Sequence, residues 1–80
     1  MNIYVFNYKG RSLHISNKLL AEFVHYLYGA LNESTVNVYI RNRYGFDPGE
    51  DPDKLGALSN EEIEAAITEG MQRDIEAFIA

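Results

Sequence analysis

The sequence predicts a single α+β domain over residues 1–80, with the element order β-β-α-β-α. Three observations predict it. Apolar and polar residues alternate near the N-terminus, which is typical of strands. The spacing of apolar residues changes to helical three- and four-residue steps after Ser16 and again after Ser59. A length of 80 residues suits one domain with one hydrophobic core.

The N-terminal residues predict a β-hairpin that turns at Lys9-Gly10. Residues 2–8 are rich in β-branched and aromatic types, and residues 11–15 alternate between apolar and polar. Gly10 can adopt the positive φ that a tight hairpin turn requires. We expect Ile3 and Val5 to face the core. The opposite face of the same strand would carry three aromatic side chains, those of Tyr4, Phe6 and Tyr8.

A first helix is predicted from Ser16 or Asn17, either of which can cap it, to about Leu31. Ile15 and Leu20 have the spacing of a hydrophobic staple around that cap. The predicted core stripe consists of Leu20, Phe23, Val24, Leu27 and Leu31.

Residues 35–44 alternate between apolar and polar types, which predicts a third strand with Val36, Val38 and Ile40 on its core side. The first strand is apolar on both faces, so we place it at the centre of a three-stranded antiparallel sheet of order 2-1-3, with two helices packed on one face. Residues 45–56 contain both prolines, three glycines and four acids, which predicts a loop.

The last segment predicts a helix that begins at Ser59. Ser59 and Glu62 have the spacing of a capping box, and apolar residues recur at helical steps after it. Gly70 weakens a helix by about 1 kcal/mol relative to alanine. Asp74 falls inside the apolar stripe and can serve as a new cap, so a kink near Gly70 or a restart at Asp74 is expected.

Charge is distributed unevenly along the chain. Residues 1–44 contain five basic and two acidic residues, a net charge of +3, whereas residues 45–80 contain ten acidic and two basic residues, a net charge of −8. An acidic surface repels nucleic acid and attracts basic protein grooves. The candidate partner-binding acids are Asp47, Glu50, Asp51, Asp53, Glu62, Glu69 and Glu76.

A second candidate surface is the outer face of the predicted sheet. It would combine aromatic and basic side chains: Tyr4, Phe6, Tyr8, Tyr39, Arg41 and Arg43. Such a face can stack RNA bases, or it can form a protein interface or a homodimer contact. Alternatively, the last helix covers it and the aromatic residues belong to the core. The net charge of −5 disfavours direct binding of nucleic acid.

No catalytic, metal or cofactor site is predicted. The chain has no cysteine, its two histidines lack zinc-site spacing, and the four loop carboxylates lack the pattern of a calcium-binding loop. No serine lies in a nucleophile elbow. The chain also lacks a signal peptide and a long apolar run, so we expect a cytoplasmic protein that is neither an enzyme nor a membrane protein.

In overall form the chain resembles the small acidic inhibitors carried by phages and other mobile elements, such as anti-CRISPR and antirestriction proteins. The likeness rests on its length and on the acids of residues 47–53 and 61–76. Residues 56–62 and the helix after them also resemble the end of the DinI group of RecA regulators, but the N-terminal hairpin departs from that group. The resemblance implies an inhibitor that occupies a basic, nucleic-acid-binding groove of a larger protein. The alternatives are a nucleic-acid-binding module and an oligomerising accessory protein.

Overall fold

The computed structural model describes residues 4–29 and 31–79. In this part of the chain the domain is α+β, with a two-stranded antiparallel sheet and four helices. The predicted three-stranded sheet of order 2-1-3 with two helices is therefore wrong. The elements are β1 (Tyr4–Tyr8), β2 (Arg11–Ile15), α1 (Lys18–Tyr28), α2 (Glu33–Tyr44), α3 (Pro52–Ala57) and α4 (Asn60–Ile79).

The predicted hairpin forms, but its faces are the reverse of those predicted. Lys9 and Gly10 both have positive φ, at 50° and 82°, as the two central residues of a type I′ turn require. This turn pairs Tyr8 with Arg11 and Phe6 with Leu13. Residues directly opposite each other in a sheet point to the same face.

The aromatic side of β1 therefore shares the core face with Leu13 and Ile15. Tyr8 is buried, and Tyr4 and Phe6 are partly buried against the core. Val5, which was predicted to face the core, pairs with His14 and is 54% exposed. Ile3, predicted to face the core with Val5, lies outside the described residues.

Helix α1 begins after Asn17, whose side chain accepts a hydrogen bond from the Leu20 backbone N–H at 3.1 Å. It ends at Gly29, which adopts the left-handed conformation that commonly terminates helices. Ala21 and Val24 are buried, and the predicted stripe residues Leu20, Phe23 and Leu27 are partly buried.

The segment predicted as the third strand is helix α2. Asn32 caps it by accepting a hydrogen bond from the Thr35 backbone N–H at 3.0 Å, and Gly45 ends it in the left-handed conformation. Val36, Tyr39 and Ile40 are buried, which is a three- and four-residue spacing. Val38, which only a strand would bury beside Val36 and Ile40, is 41% exposed.

Residues 45–56, predicted as a loop, contain the short helix α3. Asp51 caps it, and Pro52 occupies its first turn, where the missing N–H costs nothing. Leu55 points into the core.

Helix α4 begins with the predicted capping box. Glu62 accepts a hydrogen bond from the Ser59 backbone N–H at 2.9 Å, and the Ser59 hydroxyl accepts one from the Glu62 backbone N–H at 3.1 Å. The helix is continuous from Asn60 to Ile79, so the predicted restart at Asp74 is wrong. Gly70 is instead a packing site, because a side chain there would overlap the ring of Tyr39 on α2.

The core lies between the hairpin and the helices. Helix α4 contacts β2, α1 and α2, so it is the element that joins the others. Its buried residues are Ile63, Ala66, Ile67, Gly70 and Met71.

We expect Gly70→Ala to lower the free energy of unfolding by about 1–3 kcal/mol, the usual cost of overpacking, despite the better helix propensity of alanine. Tyr39 is 4% exposed and its hydroxyl is hydrogen-bonded, so its ring has little room to move. The matched control is Gly56→Ala in α3, where a methyl group meets open space. That variant should be stabilised by up to about 1 kcal/mol. Urea unfolding measures the stability of both variants. Equal changes in the two variants would contradict the contact between Gly70 and Tyr39.

Stability should fall between pH 10 and pH 12. Burial, and after it the negative charge of Glu33, raises the pKa of Tyr8 from 10.0 to about 12. A raised folded-state pKa stabilises the fold fully below pH 10, and this contribution is lost as the pH rises through 12. It amounts to roughly 2–3 kcal/mol for Tyr8. The pKa of Tyr39 is also raised by burial and by its hydrogen bond to Asp74, so it acts in the same direction.

Urea unfolding at a series of pH values tests this with Tyr8→Phe. The variant loses the hydrogen bond to Asn37, at 2.5 Å, and should be less stable than the wild type near neutral pH. Its stability should fall less steeply above pH 10, so the difference narrows or reverses. Tyr26→Phe, at a ring that is 80% exposed, should follow the wild type. If the free energy of unfolding fell in parallel above pH 10 in all three proteins, the raised pKa of Tyr8 would not be the cause of the fall.

Candidate functional site

The acidic segment, residues 47–62, carries a net charge equal to that of the whole chain. Six of the twelve acids and one of the seven basic residues lie in it, so its net charge is −5, and the other six acids and six basic residues cancel. The segment comprises the turn at Asp47, helix α3 and the first residues of α4. Its acids are Asp47, Glu50, Asp51, Asp53, Glu61 and Glu62.

The acidic segment is attached firmly to the rest of the domain. Pro48 and Leu55 are buried. The guanidinium of Arg11, on β2, donates to the carbonyl oxygens of Leu58 at 2.7 Å and Leu55 at 3.3 Å. These carbonyls lie where α3 ends, and the Leu55 carbonyl also accepts a hydrogen bond from the Leu58 backbone N–H at 3.1 Å. The hairpin therefore fixes the position of the segment.

The seven predicted acids differ in how much of their charge is available to a partner. Glu50 and Asp53 are exposed, and within the described residues they make no ion pair or hydrogen bond through their side chains. Asp51 caps α3 and lies 3.6 Å from the Lys54 ammonium. Glu62 is held in the capping box.

Glu69 does not contribute to an acidic surface. Its two carboxylate oxygens bind Arg43 and Arg73, the latter at 2.8 Å. Glu76 accepts a hydrogen bond from the neutral Gln72 side chain at 3.1 Å, so its charge is uncompensated. The predicted stripe of Glu62, Glu69 and Glu76 is therefore interrupted in its middle. Glu61 is an exposed acid of the segment that the predicted set omitted.

The basic residues are almost all engaged within the chain. Arg11 binds backbone carbonyls, as described above. Five others form ion pairs: Lys9 with Glu33, Lys18 with Glu22, Lys54 with Asp51, and Arg43 and Arg73 with Glu69. Over residues 4–29 and 31–79, only Arg41 has neither kind of contact. The excess charge of the surface is thus negative.

The predicted aromatic and basic sheet face does not exist as a unit. Tyr4, Phe6 and Tyr8 lie on the core side of β1, whereas Tyr39, Arg41 and Arg43 lie on α2. The grouping depended on a third strand, and that segment is a helix. Arg43 binds Tyr44 and Glu69, and these hydrogen bonds raise its pKa further above that of an ordinary arginine.

A cavity of about 280 Å³ opens between the end of α1 and helices α2 and α4. Its walls include Tyr28, Tyr39, Asn42, Arg73 and Asp74. The Tyr39 hydroxyl donates a hydrogen bond to the Asp74 carboxylate at 2.6 Å. Partial burial raises the pKa of Tyr28, and the charge of Asp74 and a hydrogen bond to it raise it further. One signal of this site is visible in the sequence: Asp74 falls within the apolar stripe of the last helix.

The described residues contain neither a metal-binding group nor a membrane-spanning helix. No group of three or more histidine, aspartate or glutamate side chains is arranged to hold a metal ion in residues 4–29 and 31–79. None of the helices in this part of the chain is both long and apolar enough to cross a membrane.

No family model, curated protein or solved structure matches the chain. The function of the chain therefore has to be inferred from the geometry of its own residues.

Arg11 provides a test of how the acidic segment is held. We expect Arg11→Met to lower the free energy of unfolding by about 1–3 kcal/mol, because two carbonyl oxygens lose a charged donor. Amide hydrogen exchange at Leu58, whose N–H is bonded to the Leu55 carbonyl, should accelerate. Arg11→Lys should restore part of both. Lys18→Met, which removes an exposed ion pair, should change stability by less than about 0.5 kcal/mol. Unchanged exchange at Leu58 would contradict the anchoring role.

Proposed function

We propose that this chain is a small protein-binding inhibitor, of the anti-CRISPR or anti-defence type, that uses its acidic segment to occupy a basic nucleic-acid-binding groove of a larger protein. The observation that carries the proposal is that the entire net charge of −5 coincides with one anchored segment of the chain. A cytoplasmic location is part of the same proposal.

The charge arrangement supports a steering role for the segment. Opposite charge on two partners accelerates their encounter and disfavours wrong orientations. Glu50, Asp53 and Glu61 are exposed and have no compensating cation among the described residues. Because α3 and the start of α4 are held by capping and by Arg11, these carboxylates are presented without a large ordering cost on binding.

The test measures DNA cleavage by purified RNA-guided nucleases and restriction enzymes in the presence of the chain. We expect at least one of them to be inhibited by competition with its nucleic acid. The triple reversal of Glu50, Asp53 and Glu61 to lysine should weaken binding to that enzyme by at least about tenfold. The loss should appear mainly as slower association and should shrink at high salt.

The matched control reverses three acids outside the acidic segment, Glu22, Glu33 and Glu76. Each triple reversal replaces three negative charges with three positive ones, which raises the net charge by six units, from −5 to +1. The control should weaken binding by less than about threefold, because the reversed acids are not part of the acidic segment. Equal losses in the two variants would mean that net charge alone matters. Absence of inhibition across the enzymes tested would contradict the proposal.

The nucleic-acid-binding alternative receives no support from the basic residues. Six of the seven are engaged within the chain, and Arg41 alone does not make a phosphate-binding surface. Binding to a DNA or RNA duplex that strengthens in the acidic-segment triple reversal and weakens in Arg41→Ala would reinstate it. An oligomerising accessory role stays a prediction.

A further inference from the structure

The cavity between α1, α2 and α4 combines features that a binding site needs. Its volume of about 280 Å³ is just below the range typical of small-molecule sites, so it suits a compact ligand group. Two tyrosine rings line it, those of Tyr28 and Tyr39, together with the carboxylate of Asp74. It lies outside the acidic segment, so what it binds is a separate question from the proposed inhibition.

The carboxylate of Asp74 is the feature of the cavity wall that favours a cation. Asp74 is its acidic residue, and one carboxylate oxygen accepts the hydrogen bond from Tyr39. Arg73, the basic residue of the wall, donates to Glu69 at 2.8 Å, and no ion pair joins it to Asp74 in the described chain. Glu69 is shared between Arg43 and Arg73, whereas Asp74 has no ion pair in the described chain, so a cation that binds beside Asp74 would neutralise its carboxylate directly.

The aromatic walls favour an organic cation over a metal ion. Tyrosine rings attract ammonium groups through their negative faces, most strongly where water is excluded. Tyr28 is 53% exposed and Tyr39 is 4% exposed, so Tyr28 is the ring with more surface available to a ligand. Acceptor oxygens on Ser34, Thr35 and Asn42 are placed around the same space and can take the N–H groups of a primary ammonium.

We propose that this cavity binds an alkylammonium group, held by Asp74 and by the rings of Tyr28 and Tyr39. The group can belong to a free amine or to the side chain of a lysine, since the cavity recognises the same chemistry in both.

The test is a titration of the full chain followed by amide chemical shifts at Gly70, Arg73 and Asp74. The probes are n-butylammonium and tetramethylammonium, with 1-butanol as the neutral isostere and butyrate as the anion. Saturable shifts with either ammonium and at least about tenfold weaker binding of butanol and butyrate are expected. A second arm uses a lysine with blocked α-amino and carboxyl groups. Tighter binding than butylammonium would indicate a peptide source, and weaker binding a free amine.

Asp74→Asn isolates the charge, because an asparagine oxygen can still accept the hydrogen bond from Tyr39. It should weaken ammonium binding by at least about tenfold while leaving the unfolding midpoint close to that of the wild type. Glu76→Gln on the same helix, with the same change in charge, should alter binding by less than about twofold. Tyr28→Leu should weaken tetramethylammonium binding about threefold or more.

Three outcomes would overturn the proposal: no saturable shift with either ammonium, equal binding of butanol, or unchanged affinity in Asp74→Asn. None of these bears on inhibition through the acidic segment, because the variants leave that segment intact. Conversely, the acidic-segment triple reversal should lose inhibition but bind ammonium ions with unchanged affinity. The two proposals therefore fail independently.

Discussion

The close contact between Tyr39 and Gly70 is the constraint on which the helical arrangement depends. Because α4 has no side chain at this point, the ring of Tyr39 can lie against the helix backbone and α2 can approach it closely. The same approach brings the Tyr39 hydroxyl to Asp74 and Arg43 to Glu69. The absence of a side chain at Gly70 thus allows Tyr39 to form part of the cavity wall. It also allows Arg43 to reach Glu69 and neutralise its carboxylate.

Local signals predicted the hairpin and the starts of helices α1 and α4, because a cap or a turn depends on a few adjacent residues. The strand predicted for residues 35–44 was wrong because Val36 and Ile40 fit both a two-residue and a helical spacing. Val38 alone separates the two patterns, and its exposure became known only with the structure. The inverted faces of β1 were avoidable, since a two-residue turn at Lys9-Gly10 already pairs Tyr8 with Arg11.

The candidate sites show the same division between local and long-range information. The concentration of charge in the acidic segment can be counted from the sequence, although its attachment through Arg11 cannot. The cavity needs side chains from three helices that are distant along the chain, so no spacing rule could assemble it. The neutralisation of Glu69 by Arg43 likewise depends on the contact between α2 and α4.

The contact between Tyr39 and Gly70 also limits the order in which this sequence can diverge. A first change at Gly70 to any larger residue meets the ring, whereas a prior change of Tyr39 to a smaller residue opens the space that such a side chain requires. The two positions are therefore expected to vary as a pair in any set of descendants. Descendants in which Tyr39 is replaced also lose the ring and the hydroxyl that bind Asp74. A change in this packing contact is therefore expected to change the cavity as well.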